Sequence, residues 1–144
     1  MTVIKEFDEK VEKIMSRLTE RIENFNRAFE ILKDAVDEFD EKKILTYMAL
    51  VQSFEVCFEL AWKCIKDYMD ENGIVTNYPR EVIKEAFNKD TIKDAQLWMD
   101  MLEARNSTSH EYNMDKVNKY LQEMRTTYFK ELCRLKLWLE EFND

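Results

Sequence analysis

The sequence predicts an all-α protein, and three observations point to this class. Its 144 residues include one Gly and one Pro, which leaves little material for tight turns or β-hairpins. Good helix formers such as Glu, Lys, Leu and Met are abundant. Apolar residues also recur every three or four positions over long stretches, which is the spacing of an amphipathic helix. We therefore expect residues 1–144 to form one domain, an up-and-down antiparallel helical bundle of three long and two short helices.

The first predicted helix is long and amphipathic. From Val11 to Phe39 its apolar residues repeat at helical spacing, and the charged run Asp40-Glu41-Lys42-Lys43 ends it. Residues 1–10 are an N-terminal extension that we expect to lengthen this helix. Under one interpretation they serve dimer or partner contacts, and under the other they are simply solvated.

The second predicted helix is the central one. Apolar residues from Tyr47 to Tyr68 form a stripe broad enough to mark the most buried helix of the bundle. Its opposite edge is polar and includes Glu55 and Glu59. Asn72-Gly73 then supplies the residue types that commonly end a helix in a left-handed conformation.

Two shorter helices are predicted next. Pro79 fits the first position of a helix, where its missing N–H costs nothing. Asp94 is a capping residue for the following helix, which leads directly into Arg105. We expect that helix to weaken from Asn106 to Ser109, because these short polar side chains compete for backbone hydrogen bonds.

The expected bend matters for Arg105 and His110. In an unbroken helix, at about 100° per residue, the two side chains would point about 140° apart. A bend would let them converge on a common target. One last helix is then predicted from Met114, capped by Asn113, to about Phe142.

Charge and apolar content exclude several classes of protein. A net charge of -8 argues against binding nucleic acid over a broad face, but it is compatible with a narrow local site or a basic protein partner. No stretch approaches the roughly 20 uninterrupted apolar residues that cross a bilayer. The N-terminus also lacks the apolar core of a signal peptide. We expect a cytoplasmic protein that does not contact a membrane.

The three cysteines are interpreted as buried free thiols. Cys57, Cys64 and Cys133 lie in apolar helical patterns and lack CxxC spacing. With one His and no clustered thiols in the chain, a zinc site is not expected. The sequence indicates no cofactor.

Functional information is concentrated in the run Arg105-Asn106-Ser107-Thr108-Ser109-His110-Glu111-Tyr112. His110 is the sole histidine, and with an unperturbed pKa of about 6.5 its imidazole exchanges a proton near neutral pH. An arginine holds a phosphate through a two-pronged hydrogen bond. Together these groups suggest chemistry on a phosphodiester. By itself the pair is a weak signal, since it arises often by chance and a lone histidine is commonly just a loop or capping residue.

Four segments in a fixed order give this run more weight. They are Phe58-Glu59-Leu60-Ala61-Trp62-Lys63, Pro79-Arg80-Glu81-Val82-Ile83-Lys84-Glu85-Ala86-Phe87, Leu97-Trp98-Met99-Asp100-Met101-Leu102-Glu103-Ala104-Arg105-Asn106 and Thr108-Ser109-His110-Glu111-Tyr112-Asn113. In this order they resemble the HEPN-domain proteins known as nucleotidyltransferase substrate-binding proteins. The resemblance spans about Phe25 to Leu139. Tyr78 departs from it, because related chains often carry Ser or another small residue before the Pro.

The resemblance implies a partner and a site. Members of this family are homodimeric helical bundles, usually encoded beside a minimal nucleotidyltransferase, and many are understood as ribonuclease toxins whose partner is the antitoxin. Their motif is Arg, four to six residues, then His, which Arg105 and His110 match. Asn106 matches the polar residue that commonly follows the arginine. Where the motif extends to His-x-Tyr, as it does at Tyr112, the partner transfers AMP from ATP onto the tyrosine.

The resulting hypothesis is a type VII-like toxin–antitoxin module in which this chain cleaves RNA without a metal. His110 would act as general base or acid for attack of an RNA 2′-hydroxyl on the adjacent phosphorus, and Arg105 would stabilise the developing charge. Asn106 would orient either the phosphate or His110. Because each chain supplies one histidine, separate acid and base most simply come from two chains across a two-fold axis. AMP on Tyr112 would block the site and repel RNA phosphate.

Two alternatives stay open. In the first, the chain is a non-catalytic binding subunit that presents substrate, or itself, to a nucleotidyltransferase, which the acidic charge favours somewhat. In the second, it is a structural helical scaffold, and the run from Arg105 to Tyr112 is a coincidence. RNA cleavage distinguishes the toxin from both.

Overall fold

The computed structural model describes residues 2–142, except for the side chains of Met15 and Ser16. Within this range the chain forms a helical bundle of six helices without strands, which confirms the all-α class. The helices are α1 (Thr2–Glu38), α2 (Ile44–Glu71), α3 (Pro79–Asn88), α4 (Ala95–Thr108), α5 (Met114–Arg125) and α6 (Thr127–Glu140).

The number of helices differs from the prediction because the last predicted helix is two helices. α5 and α6 are separated by Thr126, whose backbone φ of -119° and ψ of -88° are not helical. The Thr126 hydroxyl donates to the carbonyl of Gln122 at 2.7 Å, a side-chain bond that commonly bends helices. Met124 and Tyr128 are both buried, so the apolar spacing continues across the break. For this reason periodicity alone predicts one helix.

α1 and α2 form an antiparallel helical hairpin. At one end the rings of Phe39 and Tyr47 stack with centroids 5.1 Å apart. Far from that end, the Arg21 Nε lies 2.9 Å from a carboxylate oxygen of the buried Asp67. The short connection coincides with the predicted break, and the Thr46 hydroxyl there donates to the Asp40 carbonyl at 2.9 Å. Of the N-terminal extension, residues 2–10 are described and lie in α1, which begins at Thr2.

α2 is the central helix of the bundle, as its broad apolar stripe predicts. It contacts each of the other five helices. Phe54, Phe58 and Ile65 of α2 lie in the core, and the Phe58 ring packs on Trp98 of α4 with centroids 5.8 Å apart. By length and composition alone α2 is apolar enough to cross a membrane, a property that the core helix of a globular protein shares.

The predicted helix ends around α3 are observed as well. α2 is followed by Gly73 in a left-handed conformation with φ 79°, where its N–H donates to the Asp70 carbonyl at 3.1 Å. Pro79 occupies the start of α3. Asp94 caps α4, because its Oδ1 accepts a hydrogen bond from the Leu97 N–H at 3.0 Å.

All three cysteines are free thiols. Cys57 and Cys64 are buried, as expected, whereas Cys133 is only half-buried. Burial raises the pKa of the Cys57 thiol from its ordinary 9.0 to about 12, and it raises the pKa of Cys64 as well. Both thiols therefore stay protonated in the folded protein at pH values where an unfolded chain would lose the protons.

These shifts predict a loss of stability at alkaline pH. Folded-state pKa values above the unfolded ones mean that the unfolded chain releases protons first, so the free energy of unfolding falls as pH rises past about 9. Each buried thiol contributes a slope of up to about 1.4 kcal/mol per pH unit. Urea unfolding of the wild type between about pH 8 and pH 11 measures this slope. The Cys57→Ala and Cys64→Ala double variant should show a shallower slope, and an equal slope would contradict the assignment.

Candidate functional site

The end of α4 is more regular than the sequence predicts. The helix continues through Asn106 and Ser107 to Thr108, so the expected weakening over these three residues is wrong. Asn106 and Ser107 are exposed, and their side chains therefore reach water. Thr108 is buried, and its hydroxyl donates back to the Ala104 carbonyl at 2.8 Å without breaking the helix. Only Ser109, which follows the last helical residue, behaves as predicted.

The change of direction occurs in the turn that carries His110. The backbone of His110 is left-handed with φ 63°, a conformation that costs a non-glycine residue roughly 1–2 kcal/mol. The Glu111 N–H donates to the Thr108 carbonyl at 3.1 Å and closes the turn. Asn113 then caps α5 through the Asp115 N–H at 3.0 Å, as predicted. His110 itself is exposed, so solvent and a substrate can reach the imidazole.

Arg105 is half-exposed and held from two sides. Its Nη2 lies 3.0 Å from Oε2 of Glu59, and its Nη1 donates to Oδ1 of Asn106 at 3.0 Å. Its Nε is buried and has no hydrogen-bond partner among the described residues. Asn106, which is predicted to orient phosphate or His110, accepts the hydrogen bond from Nη1 through its side-chain oxygen. A guanidinium fixed in this way is a preorganised site for an oxyanion.

Two glutamates of α2 attach this segment to the core. Glu59 binds Arg105, and Glu55, one helical turn earlier, accepts a hydrogen bond from the Ser109 hydroxyl at 3.0 Å. Arg105 and the turn with His110 therefore lie over the same face of α2. In the sequence both glutamates belong only to the polar edge of α2, and no function is predicted for them. The signal that identifies them is spacing, because Glu55 and Glu59 are four residues apart, as are Arg105 and Ser109.

An open groove adjoins this segment, with a volume of about 360 Å³. One wall comes from α2 and the other from the end of α4, the following turn and α5. Tyr112 lies in that turn and is 83% exposed. The lining residues are Met48, Val51, Gln52, Glu55, Val56, Thr108, His110, Glu111, Tyr112, Met114 and Val117. The imidazole of His110 and the phenol of Tyr112 thus line one surface that is open to solvent.

Comparisons with known proteins agree with this architecture. A crystal structure of a protein from Thermus thermophilus superposes with a TM-score of 0.69 at 25% sequence identity, covering 78% of this chain and 95% of that one. None of the curated proteins matches the chain. The family model described as "Nucleotidyltransferase substrate binding protein like" matches residues 20–141. The chain therefore belongs to the nucleotidyltransferase substrate-binding protein-like family, of the HEPN type.

Proposed function

We propose that this chain is a metal-independent ribonuclease toxin of a type VII-like toxin–antitoxin module in the cytoplasm. The family name implies association with a nucleotidyltransferase, which would be the antitoxin. One observation carries the proposal. An exposed imidazole, His110, and an immobilised guanidinium, Arg105, are both attached over one face of α2. Together such groups can catalyse phosphodiester transfer, the imidazole by exchanging protons and the fixed cation by stabilising negative charge.

The proposed reaction is attack by the ribose 2′-hydroxyl on the neighbouring phosphorus. A neutral His110 imidazole takes the hydroxyl proton while O2′ forms a bond to phosphorus and the bond from phosphorus to O5′ breaks. The leaving O5′ receives a proton from an imidazolium. Arg105 donates N–H groups to the non-bridging oxygens, where negative charge grows in the transition state. The products are a 2′,3′-cyclic phosphate and a 5′-hydroxyl end.

A second copy of the chain would supply the second imidazole. The groove has exposed apolar side chains of α2, notably Met48 and Val56, and Ile31 of α1 lies in a second pocket that Val56 also lines. Leu45, one helical turn before Met48, is exposed as well. A contiguous exposed apolar surface is typical of a protein–protein interface. If a two-fold axis passes through this surface, it buries these side chains and brings His110 of the two copies to one pocket.

Tyr112 is the proposed site of control. Its exposed phenol is accessible to another enzyme and lies beside the same groove as His110. In adenylylation the tyrosine oxygen forms a bond to the α-phosphorus of ATP, and pyrophosphate leaves. The product places a bulky anion at the groove, where it competes with RNA phosphate for Arg105 by charge and by volume.

The Tyr112→Phe variant is expected to escape this control. It removes the oxygen that would accept AMP and keeps the ring. In the presence of ATP, the partner nucleotidyltransferase should therefore transfer no AMP to this variant and should not inhibit its RNA cleavage. Intact-mass spectrometry and a cleavage assay after incubation measure the two effects. Tyr78→Phe is the matched control, because Tyr78 is also exposed, at 67%, and does not line the groove. Equal AMP transfer to wild type and Tyr112→Phe would contradict the assignment.

The alternative function is a non-catalytic subunit that presents substrate, or itself, to the nucleotidyltransferase. Two observations favour it. The net charge is -8, and the charge of Arg105 is already compensated by Glu59 in the free chain. Under this alternative the wild type cuts no RNA, yet loss of Tyr112 or of the apolar surface changes the activity of the partner enzyme.

A further inference from the structure

The carboxylate of Glu59 contacts three nitrogen-bearing side chains. Its Oε2 lies 3.0 Å from the Nη2 of Arg105 in an ion pair, and it accepts a hydrogen bond from the indole N–H of Trp62 at 3.1 Å. Its Oε1 lies 3.4 Å from the ammonium of Lys63. Trp62 is buried, so its indole fixes the Glu59 side chain from the core side. Glu59 is therefore a rigid support and not a freely rotating surface charge.

The ion pair with Glu59 leaves Arg105 able to hold an anion. A guanidinium has five N–H donors, two on each terminal nitrogen and one on Nε. In this structure Nη2 lies 3.0 Å from the Glu59 carboxylate in an ion pair, and Nη1 donates one N–H to Asn106. Each terminal nitrogen therefore keeps at least one N–H for a phosphate oxygen, and the two contacts orient the guanidinium. Such preorganisation lowers the cost of stabilising charge in a transition state.

We propose that Glu59 is a positioning residue, which holds the Arg105 guanidinium in the orientation that RNA cleavage requires. This inference rests on the proposed ribonuclease function, although the contact itself does not depend on catalysis. Glu59 acts on the reaction only through Arg105. Because Arg105 stabilises charge that develops in the transition state, loss of Glu59 lowers kcat and does not raise KM.

The test compares three variants with the wild type. Glu59→Ala removes the support, and Glu59→Gln keeps one oxygen that can accept from Arg105 or Trp62. Asp70→Asn is the matched control, since it breaks the Lys66–Asp70 ion pair of 3.2 Å on the same helix, away from Arg105. The readouts are kcat and KM on an oligoribonucleotide, and the NMR signal of the Arg105 Nε–H, assigned by its loss in Arg105→Lys.

We expect Glu59→Ala to lower kcat by about 10-fold to 100-fold, the effect of a catalytic group displaced by about 1 Å. KM should not rise. The Arg105 Nε–H signal should shift and exchange faster with water, because that nitrogen is buried only while the side chain is held. Glu59→Gln should give an intermediate kcat, and Asp70→Asn should match the wild type in every readout.

The two possible failures are distinguishable. If the wild-type protein cuts no RNA, the proposed ribonuclease function is wrong. In that case the NMR signal of the Arg105 Nε–H alone tests whether Glu59 positions Arg105. A signal that shifts in Glu59→Ala and not in Asp70→Asn supports positioning by Glu59. An unmoved Arg105 signal overturns the inference whether or not RNA is cut. A KM that rises in step with a falling kcat, or an unchanged kcat in an active protein, overturns it too.

Discussion

The His110→Ala variant is expected to lose RNA cleavage by a factor of about 10²–10⁴, the usual contribution of a general acid or base. The imidazole of His110 is the only imidazole in the chain, and alanine cannot exchange a proton. Since His110 is exposed, its removal leaves no cavity in the core. The measurement is cleavage of an oligoribonucleotide, with circular dichroism and light scattering to confirm that fold and oligomeric state are kept.

A second substitution at the same position serves as the control. His110→Gly removes the same imidazole, and glycine adopts the left-handed φ of 63° without strain. It should be as inactive as His110→Ala, with a free energy of unfolding equal to or greater than that of the wild type. Low activity with full stability assigns the loss to the imidazole. Wild-type cleavage by either variant would remove His110 from the chemistry.

The Trp98→Ala variant is expected to lose about 3–5 kcal/mol of stability, as large core truncations do. Trp98 is completely buried, and its ring connects α4 to Phe58 of α2. Domains of this kind have a total stability of about 5–15 kcal/mol, so the variant should be largely unfolded or close to it. Loosening α4 would also move Arg105 away from Glu59. Urea unfolding measures the change.

Trp98→Phe is a more conservative substitution at the same position. The indole Nε1 is buried and finds no hydrogen-bond acceptor within residues 2–142, so phenylalanine removes an unpaired N–H and keeps most of the ring. Its cost should stay below about 2 kcal/mol, close to that of other conservative core swaps. If Trp98→Ala cost less than about 1 kcal/mol, Trp98 would not be the packing residue that joins α4 to α2.

Most helices of this fold are predictable from local sequence because their signals are local. The apolar period gives α1 and α2, and capping residues such as Asp94 and Asn113 mark the starts of α4 and α5. The break at Thr126 escapes this reasoning, since the apolar stripe runs on through it. Two adjacent threonines, Thr126 and Thr127, are the only local sign, and a threonine that bonds to the preceding turn is decisive only when the structure shows the bond.

The site is predictable in part. The run from Arg105 to Tyr112 stands out by residue type and by resemblance to a family. The structure places its second half, including His110 and Tyr112, at an open groove, whereas Arg105 does not line that groove. Its supports on α2 are harder to predict, because Glu55 and Glu59 act across helices. Their four-residue spacing, which matches that of Arg105 and Ser109, becomes informative only once the two segments are known to face each other. The end of α4 differs from the prediction for a related reason. Whether a short polar side chain breaks a helix depends on what it bonds to. The Asn106 side chain accepts from Arg105, and Ser107 is exposed to water.

The proposed chemistry is tested by the ends of RNA fragments that the purified wild-type protein produces in the presence of EDTA. We expect cleavage that persists in the chelator and gives fragments with 2′,3′-cyclic phosphate and 5′-hydroxyl ends, because the 2′-hydroxyl is the nucleophile. Mass spectrometry of the fragments identifies both ends. Fragments with 3′-hydroxyl and 5′-phosphate ends, or no cleavage at all, would contradict the proposed roles of Arg105 and His110.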